Sequence, residues 1–213
     1  MKPFLWAKEM KNKPKLACGV GINDADYLVT SWVNGKRVAC KYYAVWHGMI
    51  TRCYSEKFKI RSPTYAGCSV SKDWLSFVNF RAWMVRQDWD NKELDKDILI
   101  YGNKIYSADR CVFISSELNT LLGSCASVRG IYPVGVHFAN GKFVSAIRIK
   151  CKTTHLGRFT TVMKAHEAWQ KAKAEIIEQA ASEQTDERIK NALMLRVNQL
   201  RDDLANNRET ISL

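Results

Sequence analysis

The sequence predicts an α+β protein built from short strands and amphipathic helices, and three observations lead there. The run ELDKDILIYGNKIYSADRCVFISSELN, Glu93 to Asn119, reads as a short strand, a polar loop, a second short strand and a helix start. Further on, IYPVGVHF, GKFVSAIRIK and HLGRFTT read as three short strands. Asn140-Gly141 joins the first two of these, and that pair is a strong two-residue hairpin signal. Near the end, Ile189, Leu193, Val197, Leu200 and Leu204 recur at steps of 4, 4, 3 and 4. That spacing makes a helix with one narrow apolar seam.

Taken in chain order, KYYAVWHGMITRCY suggests a helix, with Tyr43, Trp46, Ile50 and Cys53 at three- and four-residue steps. SPTYAGCSV reads as a turn and a short extended segment. SKDWLSFVNFRAWMV reads as a helix capped by Ser71, with Trp74, Phe77, Val78 and Phe80 or Arg81 along one side. These aromatics are expected in a hydrophobic core. DWDNKE ends the helix, and LDKDI reads as a strand followed by a loop with the turn pair Gly102-Asn103. GSCASVRG, Gly123 to Gly130, is the expected linker, because small residues with a glycine at each end break both periodicities.

Residues 128–180 form the most regular part. On the second strand Phe143, Ser145, Ile147 and Ile149 take one face, and Lys142, Val144, Ala146, Arg148 and Lys150 take the other. The second face suits a surface lying against phosphates. The helix KAHEAWQKAKAEIIEQ puts Ala165, Ala168, Trp169, Ala172 and Ile176 on one stripe that would cover the opposite face. The expected organisation is therefore 1–122, 128–180 and a terminal helix over 183–207. The seam of that helix suits either packing within the chain or a homodimer of two copies.

The chain has 213 residues, enough for one large domain or two small ones. No apolar run approaches the roughly 18 residues that span a bilayer. The N-terminus is basic without a signal-peptide apolar core, so a cytoplasmic location is expected. Seven cysteines rule out a fully paired disulfide framework. Cys40, Cys53, Cys68 and Cys111 suit either buried apolar thiols or a structural zinc.

The net charge is +12, and its distribution is uneven. Residues 1–60 carry 11 Lys and Arg against 4 Asp and Glu. From Leu118 to His166 there are seven basic residues and no acidic one. Such a stretch implies a polyanionic partner, and nucleic acid suits it better than a membrane because the cations fall on strand-like segments.

Asp95-Lys96-Asp97 then raises a chemical question. These residues are either solvated strand-edge charges or the hold on a metal ion that meets a phosphate. Magnesium-like ions take hard oxygen ligands. A strand carboxylate facing a helix asparagine supplies such a half-site, and strand, loop, strand and helix bring the two together.

LDKDILIYGNKIYSADRCVFISSELN resembles the core of phage-encoded HNH endonucleases of homing type. GVGINDADY, YYAVWHGMITRCY and PTYAGCSVSKDWLSFVNFRAW resemble the same family in the same order, so the likeness covers about residues 18–122. GVHFANGKFVSAIRI, HLGRFTT and AHEAWQKAK resemble the ethylene-response-factor (Apetala-type) DNA-binding domain, in which a three-stranded sheet enters the major groove.

The resemblance implies a ββα-metal nuclease domain acting on double-stranded DNA with Mg2+ or Mn2+, in the cytoplasm of a phage-infected host. Carried over by position, Asp95 is the strand ligand and Asn119 the helix ligand. Lys96 stands where many members have a base histidine, and a lysine of ordinary pKa about 10.4 is a poor base at neutral pH. It would serve as a clamp on the scissile phosphate. Strand alternation pairs Asp95 with Asp97 at the metal and leaves the base unassigned. Asn103 would brace the loop. For DNA contact the expected residues are Arg129, His137, Lys142, Arg148, Lys150, Lys152 and Arg158, with Arg148 reading a base. The alternative is a catalytically degenerate DNA-binding regulatory or accessory protein on a nuclease scaffold.

Overall fold

The structure, a computed structural model, describes residues 16–123, 130–149 and 152–213. In order the elements are β1 (Thr30–Val33), β2 (Lys36–Ala39), α1 (Lys41–Tyr54), α2 (Glu56–Arg61), β3 (Ser69–Val70) and α3 (Phe77–Met84). They continue with β4 (Glu93–Asp95), β5 (Ile105–Tyr106), β6 (Val112–Ile114) and α4 (Ser116–Leu122). The last part holds β7 (Val136–Ala139), β8 (Lys142–Ile149), β9 (Lys152–Phe159), α5 (Val162–Ser182) and α6 (Glu187–Ala205). The architecture is α+β with small, mostly antiparallel sheets. Among the described residues no helix is long and apolar enough to cross a membrane.

The chain divides into two compact units. The first joins residues up to Gln87 with Lys104–Ala108. Its core is aromatic. Trp46, Met49, Ile50 and Cys53 are buried on α1, at the helical spacing that the sequence shows. Trp46 meets Phe77 of α3, their ring centroids 5.6 Å apart, and the buried Phe80 packs edge-on against Trp74. Each such side chain contributes about 1.5–3 kcal/mol by leaving water. The Trp46 indole N–H also donates to the Trp74 carbonyl at 2.8 Å, so its polar edge is satisfied.

One helix departs from expectation. The run after Ser71 is not a single helix. A 3-10 turn spans Lys72–Leu75 and α3 starts at Phe77, where Ser76 accepts from the Asn79 N–H at 3.2 Å. Asp24 fixes the break by accepting from the Ser76 hydroxyl at 2.6 Å and the Val78 N–H at 2.9 Å. Val78 consequently faces solvent, while Phe77, Phe80 and Met84 are buried.

The second unit holds residues 88–103 and 109–213. β4 pairs with β6 and α4 follows, the strand–strand–helix order read in the sequence. β7, β8 and β9 form an antiparallel sheet. The β7–β8 turn has positive φ at both Asn140 and Gly141 (52° and 72°), as the two-residue hairpin demands. One apolar core runs from Ile98, Val112, Ile114 and Leu118 to Ile147, Trp169, Ile177 and the α6 seam. Residues on either side of 123–130 therefore share it, while residues 124–129 of the expected linker lie outside the described residues. Ile189, Leu193, Val197 and Leu200 are buried within the chain, where α6 packs on α5. That use of the seam leaves none of these four side chains for pairing two copies. On α5, Ala165 and Trp169 are buried as expected; the buried stripe then runs through Lys173, Ile177 and Ala181, with Ala168, Ala172 and Ile176 at its flank.

Candidate metal centre and nucleic-acid interface

β4 ends at Asp95, so the strand does not extend through Asp97, and strand alternation does not govern these residues. The chain turns there because the Asp95 carboxylate takes over the ladder's role. Its Oδ1 accepts from the backbone N–H of Asp97 at 2.8 Å and of Ile98 at 2.7 Å. Burial pushes the Asp95 carboxyl above its ordinary value, while the Ile98 and Asp97 N–H groups act in the opposite sense.

Lys96 is only 6% exposed. Its ammonium donates to both oxygens of Asp97, at 2.7 and 2.6 Å, and to the Asn103 carbonyl at 3.0 Å. Lys96 and Asp97 thus face one another rather than opposite sides of a strand. Asn103 returns the contact: its amide donates to the Lys96 carbonyl at 2.9 Å, and its Oδ1 accepts from Arg110 at 3.4 Å. Asn103 thereby links the Lys96 backbone to Arg110. Lys96 is spent inside the loop, which removes it as a phosphate clamp in this arrangement.

Asn119 lies on α4, and its amide donates to Glu93 Oε2 at 2.5 Å. Glu93 is a partner that the sequence reading missed, although it stands two residues before Asp95 on the same strand. Arg196 was missed as well. From α6 it donates to the carbonyls of Ile98 (2.8 Å) and Asp97 (3.1 Å). Burial pulls its guanidinium below its ordinary value, and the charges of Asp95 and Asp97 oppose that. A signal existed: Arg196 falls on the same helical stripe as Leu193, Val197 and Leu200.

These contacts test whether the residues suit a divalent ion. An ion of that kind needs several oxygens converging on one point. Here the Asp97 carboxylate is matched by an ammonium and one Asp95 oxygen by two N–H groups, while the contact of Asn119 with Glu93 engages its amide nitrogen and not the oxygen that would hold an ion. As arranged, Asp97 faces an ammonium and one oxygen of Asp95 is turned to the backbone. Among the described residues no group of three or more His, Cys, Asp or Glu converges as a metal cluster. Cys53, Cys68 and Cys111 are buried, and Cys40 instead caps α1 by accepting from the Tyr43 N–H. His47 is exposed on α1, with Nδ1 3.4 Å from the Thr51 hydroxyl.

The three-stranded sheet gathers charge more coherently. Register pairs Val144 with both His137 and Arg158, Ala146 with His155, and Arg148 with Thr153. Partners in register share a face. His137, Lys142, Arg148, His155 and Arg158 therefore lie on one face, and all five are exposed. His155 and Arg158 are three residues apart, which in a regular strand would put them on opposite faces. A bulge prevents this: Ser145 pairs with Gly157 but Ala146 with His155, leaving Leu156 as the extra residue. Gly157, at φ 143°, was the sequence signal for it, since glycine inside a strand often marks a bulge. By the same register Lys152 pairs with Ile149 and shares the other face, not that of Arg148. Arg129 and Lys150 lie outside the described residues.

The opposite face is backed by α5. Gly135 lies against the Trp169 ring so closely that a Cβ there would come within 2.0 Å of Cδ1. His166 is buried, stacked on Trp169 and held on both sides: Nδ1 lies 3.0 Å from the Val134 carbonyl, and Nε2 accepts from the Thr210 N–H at 3.0 Å. It belongs to the packing of this unit.

Compared with known proteins, the chain matches no family model, no curated protein and no solved structure.

Proposed function

We propose that this protein binds double-stranded DNA through the exposed face of β7–β8–β9, as a regulatory or accessory protein on a nuclease-like scaffold. One observation carries the reading: His137, Lys142, Arg148, His155 and Arg158 share an exposed sheet face in a stretch without a carboxylate. A sheet of this kind suits the major groove. Lys142 and Arg158 would neutralise phosphates, and Arg148, one pair from the turn end of the β8–β9 ladder, would reach a base edge as a bidentate donor.

Metal-dependent phosphodiester cleavage is the second reading. The order β4, β6, α4 favours it, since Asp95 closes a strand and Asn119 stands on the following helix of the same unit. The mutual satisfaction of Lys96 and Asp97 weighs against it.

A titration of labelled duplex at several salt concentrations tests the first reading. Arg158→Ala and Lys142→Ala are each expected to reduce the salt slope by about 0.9, the value for one phosphate contact. Arg148→Ala is expected to weaken binding to a preferred duplex more than to a random one. Unchanged binding in all three variants would sink the sheet as the interface. A plasmid assay with Mg2+ or Mn2+ and an EDTA control separates the two readings. Nicked or linear product, lost in Asp95→Ala and Asn119→Ala with binding retained, would establish the nuclease. Tight binding to plasmid that stays intact is the result expected here.

A further inference from the structure

The first unit carries a second feature that the sheet does not explain. β1 and β2 form a two-stranded ribbon in which every residue from Ser31 to Val38 is exposed. The turn at its end has positive φ at both Asn34 and Gly35 (49° and 73°), the geometry that matches the twist of a tight hairpin. Two-stranded ribbons are marginal in water unless something covers them. This one leaves Trp32 75% exposed, with Val33 and Val38 also in solvent.

Its chemistry is one-sided. Trp32 pairs in register with Arg37, and Val33 with Lys36, so each face carries one apolar residue and one cation near the turn. Arg37 is steadied by donating from Nε to the Thr30 hydroxyl at 3.2 Å. No acidic residue lies between Asp26 and Glu56 in the sequence, while Lys36, Arg37, Lys41 and Arg52 do. The major groove of duplex DNA is wide enough to admit a two-stranded β-ribbon, and phosphates flank it on both sides.

We propose that the β1–β2 ribbon is a second duplex-DNA-binding element of this chain, separate from the three-stranded sheet. Lys36 and Arg37 beside the turn neutralise backbone phosphates, and the Trp32 ring supplies an apolar contact to base and sugar edges. The inference rests on the reading of the protein as a DNA binder. It goes further in assigning a contact to a part of the chain where no DNA residue was expected.

The test uses the full chain and a fluorescent random-sequence duplex. The variants are Trp32→Ala, the double change Lys36→Ala with Arg37→Ala, and Arg148→Ala with Arg158→Ala as the sheet control. The double ribbon change is expected to lower the salt slope by about 1.8, two phosphates' worth, and to weaken binding at least tenfold at moderate salt. Trp32→Ala is expected to weaken binding several-fold with the slope unchanged. Circular dichroism and melting should match the parent, because these side chains are exposed. Parent-like binding in the ribbon variants, with binding lost in the sheet control, would overturn the ribbon contact and leave the sheet reading intact. A parent chain that binds no duplex would remove both. Parent-like DNA binding with an altered hydrodynamic mass in Trp32→Ala would instead make the ribbon a contact between copies, and would also overturn the inference.

Discussion

Arg196, in the middle of α6, donates from Nη1 to the carbonyl of Ile98 at 2.8 Å, across 98 positions of sequence. The same guanidinium reaches the Asp97 carbonyl at 3.1 Å and the Ala192 carbonyl at 2.8 Å. One buried cation thereby ties the loop after β4 to the C-terminal helix. The loop's carbonyls have left the β-ladder, and the fork of Arg196 replaces the partners they would have found there.

Arg196→Met keeps most of the apolar stem and removes the donors. Leaving buried carbonyls unmatched costs about 2–4 kcal/mol, or roughly 4–16 °C in melting midpoint for a chain of this length. Arg196→Lys is expected to recover only part of that, because one ammonium does not reproduce the planar fork. Differential scanning calorimetry on the three proteins checks both values.

Asp95 gives a pH test with a definite sign. Burial raises its folded-state pKa above the unfolded value of about 3.9. The folded state then binds the proton more tightly, so this group favours folding below the unfolded value. That contribution is lost as pH rises through the folded value. Asp95→Asn keeps an oxygen for the Asp97 and Ile98 N–H groups and removes the charge. Its melting midpoint at pH 7 is expected to match or exceed the parent's, with the difference shrinking as pH falls towards 4. Asp95→Ala loses the acceptor and is expected to lose about 1–3 kcal/mol at both pH values. A large loss for Asp95→Asn at pH 7 would show that the loop needs the negative charge.

Gly135→Ala should be among the most damaging small changes. The new methyl would overlap the Trp169 ring, and φ is +80° at that position. Overpacking and the left-handed backbone together are expected to cost about 2–4 kcal/mol. Loss of the near-ultraviolet tryptophan signal, along with duplex binding, would be the readout. Near-parent melting would mean that Trp169 has room to retreat.

His166→Phe keeps a ring against Trp169 and removes both polar contacts. Thr210 then has no acceptor for its N–H, although Gln170 still donates to its hydroxyl at 3.0 Å and that hydroxyl to Asp203 at 2.9 Å. The residues after α6 are expected to loosen and become sensitive to limited proteolysis, with a stability loss of about 1–3 kcal/mol. Mass spectrometry of the early cleavage products would locate the cut, and a cut elsewhere would refute this account.

Much of the secondary structure was legible because its causes are local. Asn140-Gly141 demanded a tight hairpin. Trp46, Ile50 and Cys53 sat at helical spacing, and Ile189 to Leu200 formed an unbroken seam. The helix after Ser71 was misread because its interruption depends on Asp24, more than fifty residues upstream, which competes for the backbone at Ser76 and Val78. The extra residue at Leu156 was not legible because it shows only in the pairing of one strand with another, where Ser145 meets Gly157 and Ala146 meets His155.

By itself the sequence determined the α+β class, the strand–strand–helix order around Asp95 and Asn119, the three-stranded sheet and the cationic character of its strands. Those features follow from backbone periodicity and turn chemistry, which act over a few residues. Tertiary structure alone decided that Lys96 is spent on Asp97 and Asn103, that Asn119 meets Glu93, and that Arg196 closes the loop from the far end of the chain. A buried charge has to find its partner wherever folding brings one, and sequence spacing carries no record of that choice.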